Sequence, residues 1–142
     1  MRKKKDSKQI NNLKEQLARA LADYDNFQKR VAAREEQQRF VIKAQVIGRL
    51  LPVFDMLYGA QEHLNDSGLA LTIKELEDTL KAEGIEKIEP KAGEEFSEEL
   101  HEATEVGKKE GLKENQIIEC VMRGWKFISG QVIRHAKVKV VR

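Results

Sequence analysis

The sequence predicts an α+β chain: a long N-terminal helix that pairs with a second copy as a coiled coil, two short helices forming a dimeric four-helix bundle, and a small all-β domain. Three observations predict it. Asp6 to Ile47 contains no Gly and no Pro, and its apolar residues recur at helical spacing. Two shorter amphipathic runs follow before Gly84. From Ile85 the hydrophobic period changes from 3.6 to 2. The expected parts are residues 1–49, 50–84 and 85–142.

In the first part Ile10, Leu13, Leu17, Ala20, Tyr24, Phe27 and Val31 alternate steps of three and four. That is the a/d seam of a heptad repeat. As one helix, Asp6 to Ile47 is on the order of 60 Å long at 1.5 Å per residue. A narrow apolar stripe on such a rod needs a partner helix, and a second copy is the simplest one. A single helix docked on its own domain is the other reading. Arg34 and Gln38 take the next core positions before Val41, so the pairing loosens there.

A kink or short break is expected between Gly48 and Pro52, because Pro removes a helical donor and restricts the residue before it. Leu50, Leu51, Val53, Phe54, Leu57 and Leu64 then mark one face of a second helix. Asn65-Asp66-Ser67-Gly68 is a turn signal. In a third helix Leu69, Ile73, Leu76 and Leu80 point inward and Lys74, Glu75, Glu77 and Asp78 outward, with Gly84 as its stop. A hairpin with one apolar face has too little core alone, and two copies make a four-helix bundle. The expected dimer interface is therefore Leu13, Leu17, Tyr24, Phe27 and Val31 on the rod, with Leu50, Leu51, Phe54, Leu57, Ile73, Leu76 and Leu80 in the bundle.

Ile85 to Pro90 reads as a short strand. Ser97-Glu98-Glu99 has the hydroxyl and acids of a helix start, and that turn carries Leu100 and His101. Ala103 to Val106, Gln116 to Arg123, Trp125 to Ile128 and Gln131 to Val141 are strand candidates, with a hairpin turn at Ser129-Gly130. His135 falls in the last strand. Lys137 and Lys139 alternate with Val138 and Val140, so one face there is solvated.

Of the 142 residues, 40% are hydrophobic and 35% are charged, which suits a surface-rich molecule better than a deep-pocketed enzyme. Residues 1–47 carry 12 Lys and Arg against 6 Asp and Glu. These charges are interspersed around the rod without the aromatics of a single-strand binder, so nucleic acid is not an expected partner. No run is long and apolar enough for a membrane span, and the basic N-terminus leads into a polar helix, so no secretory signal is expected. A cytoplasmic place is expected. The single cysteine, Cys120, sits in a strand-like run and reads as a buried, inert thiol. No phosphate loop, dinucleotide fingerprint, zinc-protease or serine-hydrolase motif occurs, and no carboxylate pair stands out as an acid–base couple. No catalytic residue, metal or cofactor is expected, and the chain is read as an interaction protein rather than an enzyme. His63 reads as surface, His101 as packing in the β-domain, and Trp125 as its partly buried anchor.

Four blocks resemble the GrpE family, the nucleotide exchange factors of DnaK-type chaperones. They are Tyr24-Asp25-Asn26-Phe27-Gln28-Lys29-Arg30, Leu50-Leu51-Pro52-Val53-Phe54-Asp55, Gly68-Leu69-Ala70-Leu71-Thr72-Ile73-Lys74, and a dispersed block. The last holds Phe96, His101-Glu102-Ala103, Gly124-Trp125 and Val132-Ile133-Arg134 through Val138 and Val140. The resemblance covers about Leu17 to Val141. It implies a homodimer whose β-domain wedges against the ATPase domain of a DnaK-type chaperone and opens its nucleotide cleft, so that ADP leaves. It implies chaperone contacts at Lys29 and Arg30 on the rod and at Phe96, His101, Val121, Gly124, Trp125 and Val140 in the β-domain. It also implies that melting of the paired helices acts as a thermosensor. The chain departs from the family pattern at Gln28, Ser97-Glu98, Trp125, Gln131 and His135. A structural coiled-coil adaptor whose β-domain binds another protein is the alternative.

Overall fold

A computed structural model describes all 142 residues. The chain divides into two compact units, Met1–Lys43 and Ala44–Arg142. The first is helical from Arg2 onward and belongs to helix α1 (Arg2–Leu64). Its helix needs no tertiary support to be locally consistent: no breaker interrupts it, and Asp25 and Lys29 pair one turn apart at 2.9 Å. Ile10, Leu13, Leu17, Leu21, Tyr24, Phe27 and Val31 all stand exposed. The heptad seam is thus an uncovered apolar stripe.

The second unit begins within α1. The expected break at Pro52 does not occur, since α1 continues unbroken to Leu64 with Pro52 inside it. Pro52 and Gly48 are both exposed. Water can therefore take the Gly48 carbonyl that loses its donor. On the opposite side Leu51, Phe54 and Tyr58 are buried and hold the helix down. Asn65 adopts a left-handed backbone, φ 47°, and ends α1. Helix α2 (Ser67–Ala82) follows directly, capped by Asp66, whose carboxylate accepts from the Leu69 amide at 2.8 Å. Gly84 stops it at φ +79°.

Six strands complete the chain: β1 (Ile85–Ile88), β2 (His101–Gly107), β3 (Ile117–Met122), β4 (Gly124–Phe127), β5 (Val132–Arg134) and β6 (Ala136–Val141). They form two three-stranded sheets, ordered β1-β4-β5 and β2-β6-β3. β1 and β5 run antiparallel to β4, β3 runs antiparallel to β6, and β2 runs parallel to β6. Ile88, Ile117, Ala136, Val138 and Val140 form a core, with Phe96, Leu100, Cys120 and Val132 packed on it.

Three sequence expectations are corrected here. The run Gln131–Val141 is two strands in different sheets, and His135 lies at the crossing between them rather than in a strand. A Cβ on Gly124 would collide with the Ala136 amide nitrogen and lie 2.6 Å from the Arg134 carbonyl oxygen. The crossing therefore runs in contact with the Gly124 backbone. Ser97-Glu98-Glu99 is a single turn, with the Leu100 and His101 amides both donating to the Ser97 carbonyl, and His101 already opens β2. Glu77 is not turned outward: it accepts hydrogen bonds from Tyr58 and Lys87. Of the residues expected at a dimer interface, Leu51, Phe54, Ile73 and Leu80 are buried within their own chain. Phe54 meets Trp125 edge to face at 5.9 Å between centroids, so strand β4 covers what a hairpin alone would expose. Leu57 and Leu76 are half-buried, and Leu50 remains exposed.

Candidate functional site

The eight expected contact positions fall in both units. Lys29 and Arg30 lie exposed on α1, with Lys29 paired to Asp25. The other six lie in the β-domain, and their accessibility divides them. Trp125 is 1% exposed, Val140 2% and His101 7%, and Gly124 is buried. Their own chain covers these four. Val121 is 49% exposed on β3, and Phe96 is half-buried.

Phe96 and Val140 share the β2-β6-β3 core, and Phe96 lies 5.9 Å from the His101 ring. The Ser97 amide donates to His101 Nδ1 at 3.1 Å, so the neutral imidazole carries its proton on Nε2. Burial pushes the His101 pKa below its ordinary value, with His135 acting the same way and Glu94 against it. His101 is thus a neutral pin for the turn that carries Phe96. Cys120 is half-buried, and burial pushes its thiol up, away from nucleophile chemistry.

One polar network was not singled out from sequence. Arg134 grips Asp55 of α1 in a bidentate pair at 2.7 and 2.8 Å. The same guanidinium donates to the Arg123 carbonyl at 2.6 Å from one terminal nitrogen and 3.2 Å from Nε. Arg123 in turn donates to Glu89 at 2.8 Å and lies 4.0 Å over the Tyr58 ring. Lys87 bridges Glu89 and Glu77, and Tyr58 donates to Glu77. Five side chains from α1, α2, β1 and their neighbours thereby close a circuit.

Its charges are mutually held. Burial raises the Tyr58 phenol, and its acceptor Glu77 raises it further. Burial alone would lower Lys87 and raise Glu89, but their partners win: Glu77 and Glu89 hold the ammonium above its ordinary range, and Lys87 and Arg123 hold the Glu89 carboxyl below. A carboxylate beside Phe54 on the buried face of α1, and an arginine ending an otherwise apolar strand, were the signals that could have located this network.

No group of three or more His, Cys, Asp or Glu side chains is placed to hold a metal ion. No helix is long and apolar enough to cross a membrane. In the β-domain Val121 stands exposed on β3, while Phe96 packs against the core cluster.

A family model described as GrpE matches residues 2–142. Protein GrpE of Clostridium perfringens is 32% identical over 145 residues, covering 98% of this chain and 68% of the relative. Protein GrpE of Trichodesmium erythraeum is 34% identical over 141 residues, covering 93% and 57%. Protein GrpE of Methanothermobacter thermautotrophicus is 36% identical over 131 residues, covering 89% and 72%. The chain thus spans between 57% and 72% of the length of these three relatives. The match covers the exposed heptad helix, the second helix and the small β-domain together, and the chain belongs to the GrpE family of co-chaperones.

Proposed function

We propose that this protein is a homodimeric, cytoplasmic nucleotide exchange factor that accelerates ADP release from a DnaK-type chaperone by binding and opening its ATPase domain. The observation that carries this reading is the family match over residues 2–142. Dimerisation is supported by the seam: Leu13 at 63% and Leu17 at 60% exposure are apolar residues at d and a spacing with nothing over them. Within the second unit Leu50, Val53, Leu64 and Leu71 are also exposed and suit a second copy.

The contact face we assign is Val121 and Phe96 on the β2-β6-β3 sheet and its flanking turn. His101 and Val140 lie within that sheet, and Gly124 and Trp125 lie on β4 of the other one. Lys29 and Arg30 add polar contacts from the rod. No covalent step is involved. The factor binds the open ATPase domain more tightly than the closed one, and that difference in affinity shifts the equilibrium. The loosened seam at Arg34 and Gln38 makes the rod the first part to melt, so that exchange falls in heat.

Linkage supplies the test. If the factor weakens ADP binding, ADP must weaken factor binding by the same ratio. Titration calorimetry with nucleotide-free and ADP-loaded chaperone should give tighter binding to the nucleotide-free form, and equal affinities would reject the exchange reading.

A further inference from the structure

We propose that Arg134 and Asp55 are positioning residues for exchange: they fix the contact sheet on α1, so that binding is converted into cleft opening. This rests on the exchange-factor reading above. The contact residues lie on the sheet β2-β6-β3, while β4 of the other sheet is the strand that meets Phe54 of α1. The chain passes between the sheets by a long loop from β1 to β2 and at two single residues, Arg123 between β3 and β4 and His135 between β5 and β6. Arg134 adjoins His135. Its guanidinium donates to the backbone carbonyl of Arg123, and forks onto Asp55. One side chain therefore ties both single-residue crossings to the helix.

Val121 is two residues from Arg123, so force on the contact face arrives at this knot. The Arg123 side chain adds a second arm through Glu89, Lys87 and Glu77 to Tyr58. Forked, charge-assisted hydrogen bonds hold a direction, whereas apolar contacts permit sliding. The distinction matters for a factor that acts by differential affinity. A β-domain free to swing could follow the cleft as it closes and bind both states alike. A ligand with equal affinity for two states shifts nothing, however tightly it binds.

The test uses the full chain with Arg134→Lys, which keeps the charge but loses the fork, and Asp55→Asn, which keeps the shape but loses the charge. ADP release from the chaperone is followed over a range of factor concentrations, with circular dichroism recorded on each variant. In both variants the maximal acceleration should fall roughly tenfold or more, the factor a charge-assisted hydrogen bond is worth. The half-saturating concentration should change less than about twofold, because the contact residues are intact. Unchanged maximal acceleration overturns the inference. So does a parallel loss of acceleration and affinity, or loss of folding in both variants, since either makes the pair an ordinary determinant of the fold. The wild type is read first: no acceleration by it removes the exchange reading itself, and this inference with it.

Discussion

Arg134 and Asp55, 79 residues apart in sequence, form a two-pronged ion pair at 2.7 and 2.8 Å, with side chains only 22% and 25% exposed. Removing one partner leaves the other charge half-buried and unpaired. Asp55→Ala should therefore destabilise the second unit by about 2 kcal/mol. Urea unfolding followed by the fluorescence of Trp125, the single Trp, measures it.

The seam makes a separate prediction. Leu17 and Phe27 are exposed in one chain and occupy a and d spacing. A carboxylate at both positions places like charges in the paired core. Leu17→Asp with Phe27→Asp should sediment as a monomer where the wild type sediments as a dimer. A wild-type monomer would contradict the pairing outright.

Gly124 tolerates no side chain. Its Cβ would lie 2.6 Å from the Arg134 carbonyl oxygen and 2.8 Å from the His135 carbonyl carbon, both backbone atoms that cannot turn aside. Gly124→Ala should cost more than about 3 kcal/mol, in the range reserved for backbone collisions and core defects. The expected signature is loss of the Trp125 tertiary signal while the helical circular dichroism persists.

His101 makes stability depend on pH. Burial, chiefly, holds its folded pKa below the ordinary 6.5. The unfolded chain then binds more protons in that window, so the stabilisation is fully present above pH 6.5 and is lost as pH falls from there through the lower folded value. Protonation also ends the acceptor role of Nδ1 toward Ser97. His101→Asn, which keeps an acceptor near that place, should flatten this part of the profile, measured as unfolding free energy between pH 7 and pH 5.

Local periodicity was legible in the residues. The seam from Ile10 to Val31, the α2 positions Ile73 and Leu80, the Gly84 stop and the change of period at Ile85 all follow from neighbour spacing. What was not legible depends on partners distant in sequence. The continuity of α1 through Pro52 depends on the anchoring of Leu51, Phe54 and Tyr58 on the far side of the helix. The division of Gln131–Val141 at His135 depends on contact with Gly124, eleven residues away. Burial of Trp125, His101 and Val140 depends on how two sheets and α1 join. The Arg134–Asp55 pair lies within two recognised blocks, yet nothing in spacing alone joins a helix carboxylate to a strand arginine.

The central claim is exchange through the β-domain face, and stopped-flow release of a fluorescent ADP from a DnaK-type chaperone tests it most directly. Val140 is buried, so the informative change is at the exposed Val121. Wild-type protein should accelerate release in proportion to its concentration below saturation. Val121→Asp, folded and dimeric, should lose roughly tenfold or more of that effect, as a charge placed against an apolar contact does. No acceleration by the wild type, or full acceleration by Val121→Asp, would contradict it.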